Sequence, residues 1–325
     1  MKNVPDLSIL IVSYNTRDTL LACLESVYAQ AAEVSFEVIV IDNHSQDGSA
    51  DAVARKFPSV ELLRSEQNLG FANANNRALK EASGRYIVLL NPDALLSGNV
   101  LRMAMAHMDE DATVGMAGAR LIAPDGAWQP SARQFPSLLN EFLNLSGLSA
   151  RFPRSRFFGR FDRTWADASE SADVDWVPGA FAIIRRDVID QLGLFAPAFF
   201  LYYEEVDLCR RIHAQGYRVC YWSDLVVTHM GGESSKTVTH VDFDNSGKQL
   251  GPWRMRSQLL YYRKWHGYWG AQCVKWLEQS WHFVRAWKNR HSSPGKAAES
   301  RAIIQQWRQA WSDTAGGTKS PPQPW

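Results

Sequence analysis

Short apolar runs of strand length recur at residues 7–12, 36–41, 60–63, 86–90 and 114–117, and a helix-like stretch separates each from the next. That alternation predicts βαβ units around a mostly parallel sheet flanked by helices. Helices are expected over residues 18–30, 48–57, 73–82 and 98–108, with Asp18 and Ser45 or Asp47 as start signals. Four crossovers in about 110 residues match the lengths such connections need.

Beyond Ala119 the rhythm changes. Pro124-Asp125-Gly126 signals a turn, and residues 134–172 mix aromatics, arginines and serines with little period, which reads as an excursion facing substrate. A strand over 175–184, a helix over 204–215 and strands over 219–222 and 225–228 are expected next. From 253 to 311 the pattern is helical and rich in tryptophan, and the Gly/Pro-bearing end is expected to be disordered. The chain thus divides into an α/β domain over 1–240 with halves meeting near 120, a helical extension over 241–312, and a tail over 313–325.

A formal charge of +1 on 325 residues gives no global attraction to phosphate backbones, so no nucleic-acid partner is expected. Cys23, Cys209, Cys220 and Cys273 are too widely spaced for the short pairs of a structural zinc site and read as reduced, packed thiols. The opening apolar run is broken at Ser13, Asn15 and Arg17, unlike a secretory signal. No apolar stretch reaches the roughly 20 residues of a spanning helix. A cytoplasmic protein with peripheral membrane contact is expected.

In an open parallel sheet, ligands bind outside the carboxyl ends of the strands. There the runs end in Ser13-Tyr14-Asn15, Asp42-Asn43-His44 and Asn91-Pro92-Asp93. Any one of these could be a turn or a helix cap, whereas three at one edge point to a polar site. No Gly-x-Gly-x-x-Gly follows the first run and no Gly-Lys-Ser/Thr occurs, which argues against dinucleotide and P-loop sites. Asp42 can accept hydrogen bonds from a nucleotide, and Asp93 can hold a divalent cation that bridges diphosphate oxygens.

A second cluster places Glu204, Glu205 and Asp207 directly after the aromatic run Phe199-Phe200-Leu201-Tyr202-Tyr203. Acids also complement the amino-terminal dipole of a helix. A carboxylate against aromatic walls, however, is desolvated, gains proton affinity and suits general-base work. His229 ends a short apolar run before Gly231-Gly232, and imidazole is a natural ligand for manganese-like metals.

Taken in order, these residues resemble the family 2 glycosyltransferases of the GT-A fold, in particular their bacterial rhamnosyltransferase-like branch. The resemblance runs from Leu7 to Ser235. It rests on Ile11-Val12-Ser13-Tyr14-Asn15, Val40-Ile41-Asp42-Asn43, Asn68-Leu69-Gly70-Phe71-Ala72 with Asn76, Leu89-Leu90-Asn91-Pro92-Asp93, Val177-Pro178-Gly179-Ala180, the acids from Glu204 to Asp207, and His229. It implies an inverting transferase that takes a sugar, L-rhamnose from dTDP-L-rhamnose, to a glycan or polyprenyl-linked acceptor with the help of Mn2+ or Mg2+.

By the same resemblance, Ser13, Tyr14, Asn15, Asp42, Asn43, Gly70, Asn76 and Asn91 would hold the nucleotide sugar, and Asp93 and His229 the metal. Trp176, Gly179 and Ala180 would line the acceptor side. Glu205 matches the family's base, with Glu204 a rival for that role and Asp207 in support. The sequence departs from the family's Asp-x-Asp metal motif at Asn91, and its base is glutamate rather than aspartate.

The tail sets Trp253, Trp265, Trp269, Trp276, Trp281 and Trp287 among lysines and arginines. Two readings stand: amphipathic helices packed on the core, or helices lying on an anionic membrane surface. A sugar-phosphate nucleotidyltransferase and a non-catalytic nucleotide-binding scaffold are the rival functions. The first would need a Gly-rich basic loop where residues 13–18 have no glycine and one arginine.

Overall fold

In the computed structural model, which describes residues 4–30, 32, 34–231 and 250–320, the chain folds around one ten-stranded sheet. The first part alternates as the apolar runs predict: β1 (Leu7–Ser13), α1 (Arg17–Tyr28), β2 (Phe36–Asp42), α2 (Ser49–Lys56), β3 (Glu61–Arg64), α3 (Gly70–Ala78) and β4 (Tyr86–Leu90). Then come β5 (Ala94–Leu96), α4 (Val100–Glu110), β6 (Val114–Ile122) and β7 (Trp128–Gln129). The aperiodic stretch holds two short helices, α5 (Leu138–Leu145) and α6 (Leu148–Arg151). It leads into β8 (Ala172–Asp173), β9 (Phe181–Arg185), α7 (Arg186–Leu192), α8 (Glu204–Ala214) and β10 (Arg218–His229). Two long helices close the chain, α9 (Gly251–Lys288) and α10 (Pro294–Asp313).

The strand order is β3-β2-β1-β4-β9-β6-β10-β5, with β7 beside β6 and β8 beside β10. Strands β3, β2, β1 and β4 run parallel, as do β6 and β10, while β9 lies antiparallel between β4 and β6. All of β1 is buried, as expected of a strand covered on both faces. Leu7, Ile9 and Ile11 pack with residues of α1 and α4, whereas Leu10 and Val12 join residues of α3, α8 and the two C-terminal helices. The four thiols are free, and Cys23, Cys209 and Cys220 are buried.

Some expectations need correction. Only the end of the strand expected over 175–184 enters the sheet, as β9. The two strands expected over 219–228 are one, β10, with a register shift between Trp222 and Val226. The helix expected from Asn73 begins at Gly70, whose φ of +75° admits a backbone turn that side chains rarely adopt. A Cβ there would lie 2.3 Å from the Phe200 carbonyl oxygen.

The tail is not disordered over 314–320: Thr314 is fully buried, its hydroxyl donates to the Ala310 carbonyl at 2.7 Å, and the Ser320 hydroxyl donates to the Ala198 carbonyl at 3.1 Å. Residues 321–325, Gly232, Ser235 and the domain boundary expected at 240 lie outside the described residues.

The C-terminal helices divide at Gly267, where φ of 70° and ψ of −168° interrupt α9. Before it, Trp253, Leu259, Tyr261 and Tyr262 are buried in the core, and Trp307 of α10 joins them. After it, Trp269, Trp276, Phe283 and Trp287 are exposed. No helix among the described residues is long and apolar enough to cross a membrane.

Asp207 fastens the buried half of α9 to α8. Its fully buried carboxylate accepts from Arg211 Nε at 3.0 Å, Lys264 Nζ at 2.5 Å and Trp265 Nε1 at 2.9 Å. Removing a charged acceptor strands its donors. Asp207→Ala is therefore expected to cost about 1–3 kcal/mol in urea-unfolding stability. A fall in turnover with an unchanged unfolding midpoint would instead assign Asp207 to the chemistry.

Candidate active site

The parallel half of the sheet presents its carboxyl ends at one edge, and the loops there are wired to one another. The Asn43 amide N–H donates to the Ser13 carbonyl at 2.8 Å. Asn15 has a φ of +51°, accepts from the Gln46 amide at 2.7 Å through its side chain, and donates its own amide to Ser45 Oγ at 3.0 Å. Ser13 Oγ and Thr16 Oγ1 are 3.0 Å apart. Tyr14 is half-buried beside Asn15 and Asn68, and burial pushes its phenol above the ordinary value.

Asp42 is buried, with Oδ2 accepting from the Ser45 amide at 3.2 Å, while Oδ1 has no hydrogen-bond partner among the described residues. A buried carboxylate oxygen left this way is suited to a ligand donor such as a ribose hydroxyl or a base N–H.

Three residues expected to touch the nucleotide sugar are engaged by the protein. Asn43 donates to Asn68 Oδ1 at 2.9 Å and accepts from the Leu69 amide at 2.8 Å, which fixes the loop before α3. Asn76 donates to the Phe195 carbonyl at 2.9 Å and accepts from its amide at 3.0 Å. Gly70 provides the close approach that lets the Phe71 amide donate to the Phe200 carbonyl at 2.8 Å. All three hold loops from which the site is built.

At the end of β4, Asp93 Oδ1 lies 3.3 Å from His229 Nε2, and Asn91 Nδ2 lies 3.4 Å from the same nitrogen. Gln129 assigns the tautomer: its Nε2 donates to the His229 carbonyl at 2.7 Å, so its Oε1, 2.8 Å from Nδ1, accepts from the Nδ1 proton. The Nε2 lone pair of the neutral ring then faces the Asp93 carboxylate. Two acceptors so placed fit a shared cation, and Gln129 supplies the outer hydrogen bond that ligating histidines ordinarily make. Among the described residues no third His, Cys, Asp or Glu joins them. That suits a hard cation whose remaining ligands are phosphate oxygens and water.

The acids of α8 sort themselves by burial. Tyr202 and Tyr203 adopt φ of 70° and 68°, a strained pair that turns the chain sharply into the helix. Glu205 lines a cavity of about 450 Å3 together with Arg133, Phe161, Trp176, Tyr202 and Arg254. Its Oε1 accepts from the Gly179 amide at 3.2 Å, and burial holds its carboxyl above the ordinary value. Glu204 is 2% exposed, and burial followed by the nearby Glu205 charge raises it well above the usual range.

Asp207, expected to support the acceptor or the base, faces Lys264 and Trp265, away from that cavity. Trp176 lines it, with Nε1 donating to the Gln134 carbonyl at 2.8 Å.

Gly179 and Ala180 join the two regions. The Gly179 amide donates to Glu205, and the Ala180 carbonyl accepts from the Asn91 amide at 3.1 Å. A Cβ on Gly179 would lie 3.3 Å from Phe71 and 3.4 Å from Glu205 Oε1. Sequence reasoning missed Gln129, because it acts through His229, far along the chain.

A polar edge at the carboxyl ends of the parallel strands, an Asn-Pro-Asp corner with a histidine, and a carboxyl facing a cavity together have the layout of a nucleotide-sugar transferase of the GT-A fold. The chain belongs to glycosyl transferase family 2, whose family model matches residues 8–193, more than half of its length.

It is 29% identical over 240 residues to an N-acetylglucosaminyl-diphospho-decaprenol L-rhamnosyltransferase of Mycobacterium tuberculosis, covering 70% of this chain and 77% of that one. A 102-residue segment is 37% identical to the Escherichia coli UDP-Glc:alpha-D-GlcNAc-diphosphoundecaprenol beta-1,3-glucosyltransferase WfgD, covering 31% of this chain and 40% of that one. Among solved structures, the mannosyltransferase PcManGT of Pyrobaculum calidifontis, in complex with GDP-Man and Mn2+, superposes with a TM-score of 0.58 at 18% identity. That match covers 97% of this chain and 88% of the other.

Because burial raises Glu205, its deprotonated form gains population only above the ordinary carboxyl range. If Glu205 takes the acceptor proton, kcat/KM should climb with pH through an apparent pKa above 4.5, and Glu205→Gln should remove that limb while lowering kcat about 10²- to 10⁴-fold. An unchanged pH profile in the variant would move the base elsewhere.

Proposed function

We propose that this glycosyltransferase moves L-rhamnose from dTDP-L-rhamnose, with inversion, to a hydroxyl of a sugar carried on a polyprenyl diphosphate, in assembly of a cell-surface polysaccharide. The observation that supports the reading is the Gly179-Ala180 dipeptide, whose carbonyl at Ala180 accepts from Asn91 and whose amide at Gly179 donates to the Glu205 carboxyl. The choice of donor and acceptor is supported by the rhamnosyltransferase and by WfgD, whose names both specify sugars on polyprenyl diphosphates.

Glu205 takes the proton of the acceptor hydroxyl as that oxygen forms its bond to the anomeric carbon. On the opposite face the bond from that carbon to the diphosphate oxygen breaks, and the electron pair leaves with the nucleoside diphosphate. Asp42 and the loops of Ser13, Tyr14 and Asn15 hold the nucleoside. Asp93 and His229 would hold Mn2+ or Mg2+, which would supply charge neutralisation at the diphosphate.

A panel of nucleotide sugars tested with Mn2+ or Mg2+ and a GlcNAc-diphosphate lipid should show dTDP release from dTDP-L-rhamnose alone, lost in Asp93→Ala. Release from a different donor would overturn the rhamnosyl assignment, and binding of nucleotide without release from any donor would favour a scaffold.

The same reading puts the protein on the inner face of the cytoplasmic membrane. Trp269, Trp276, Phe283 and Trp287 are spaced to share one stripe of α9, about 27 Å long at 1.5 Å per residue. Lys275, Lys288 and Arg290 lie near it, and Arg290 stacks on the Trp287 ring at 4.6 Å. Aromatic rings beside cations suit an anionic lipid interface. Flotation with anionic liposomes should fall several-fold when Trp269 and Trp276 are both changed to serine. Failure of the intact chain to float would remove the membrane placement.

A further inference from the structure

The cavity beside Glu205 holds two guanidinium groups that proton transfer does not require. Arg133 lies over the rings of Trp176 at 5.0 Å and Phe161 at 5.8 Å, with Asp162 3.1 Å from its Nε. Arg254 enters from the first turn of α9 and is exposed. Leu250 and Gly251, at the start of that helix, line the same cavity, and the first turn carries no acidic residue, so the helix dipole adds positive potential there.

Behind Arg254, burial raises the carboxyls of Glu141 and Glu278, the latter to about 7, and so weakens the negative charge available to offset the arginine. The cavity therefore combines an aromatic wall, a carboxyl and two guanidinium groups.

A neutral glycan would take water from the exposed Arg254 guanidinium and offer it no anion in return, a costly arrangement for a charged donor, whereas Arg133 already has Asp162. The donor's own diphosphate belongs at the Asp93–His229 corner, on the other side of the Gly179–Ala180 link. We infer that Arg254, with Arg133, binds the diphosphate of the acceptor, so that this cavity selects a sugar carried on a diphosphate over the same sugar in neutral linkage. The inference rests on the acceptor class proposed above. It assigns a positioning role: the arginines hold the anion, Phe161, Trp176 and Tyr202 enclose the sugar, and its hydroxyl lies toward Glu205. Guanidinium groups recognise phosphate oxygens with paired N–H donors, which a lysine cannot reproduce.

The test is calorimetric titration of the full chain, saturated with dTDP, by farnesyl-diphospho-GlcNAc, by neutral farnesyl β-GlcNAc and by UDP-GlcNAc. Wild type should bind the farnesyl diphosphate roughly ten- to a hundredfold tighter than the neutral glycoside. Arg254→Gln should erase most of that ratio while binding dTDP and the neutral glycoside as before, and Arg254→Lys should restore part of it.

Equal affinity of wild type for the two farnesyl compounds would overturn the inference, as would an equal loss on both in Arg254→Gln. UDP-GlcNAc binding as tightly as the lipid would support the site and identify its ligand as a soluble sugar diphosphate. A preserved diphosphate preference without transfer from dTDP-L-rhamnose would sink the proposed donor and leave this site standing. Transfer without the preference would do the reverse.

Discussion

The Gly179-Ala180 dipeptide sets the geometry on which the site depends, through the amide of the first residue and the carbonyl of the second. Strand β9 inserts antiparallel between β4 and β6, and the turn leading into it must pass between the end of β4 and the start of α8. The Ala180 carbonyl is committed to Asn91 and the Gly179 amide to Glu205. A Cβ at 179 would meet the Phe71 ring at 3.3 Å and the Glu205 carboxyl at 3.4 Å, so a larger side chain would have to displace one of them. The separation of the Asn91 corner from Glu205 is therefore set by a turn anchored at the start of β9, a central strand.

Strands buried on both faces announced themselves as continuous apolar runs, and β1, β2 and β4 were legible with their polar ends. The three-residue β5 and the bulged β10 were not, because neither is long or regular enough to give a clean period. Within the site, residue type alone could not separate a group that meets ligand from one that holds the protein. Asn43 and Asn76 sit in the right motifs, and their side chains are bonded to Asn68 and Leu69 and to the Phe195 backbone. Asp207 looks like its neighbours Glu204 and Glu205 in sequence, but the residues that claim it, Lys264 and Trp265, stand more than fifty positions later. Gln129, about a hundred residues from His229, fixes the imidazole tautomer and carries no motif of its own.

Of the two readings of the tryptophan-rich segment, packing on the core describes the part before Gly267. Trp253, Tyr261 and Tyr262 complete the core under the Glu205 cavity, whereas Trp269, Trp276, Phe283 and Trp287 beyond the break are exposed. Composition is nearly uniform along the helix. What differs is which face has a partner, a property that only the packing of α9 against α8 and α10 decides.

The left-handed pair Tyr202 and Tyr203 is clamped from both sides. The Phe200 carbonyl is held by the Phe71 amide, Phe200 stacks with Trp253 at 4.4 Å, and the Leu201 carbonyl accepts from the Ser257 hydroxyl at 2.7 Å. A conformation that costs energy locally persists only while such contacts last. The segment matched by the family model ends at residue 193, before both the strained turn and the helix that clamps it. On the proposed mechanism the base, Glu205, therefore lies outside the matched segment, and changes in α9 that loosen its hold on Phe200 and Leu201 would also shift the acid that meets the acceptor.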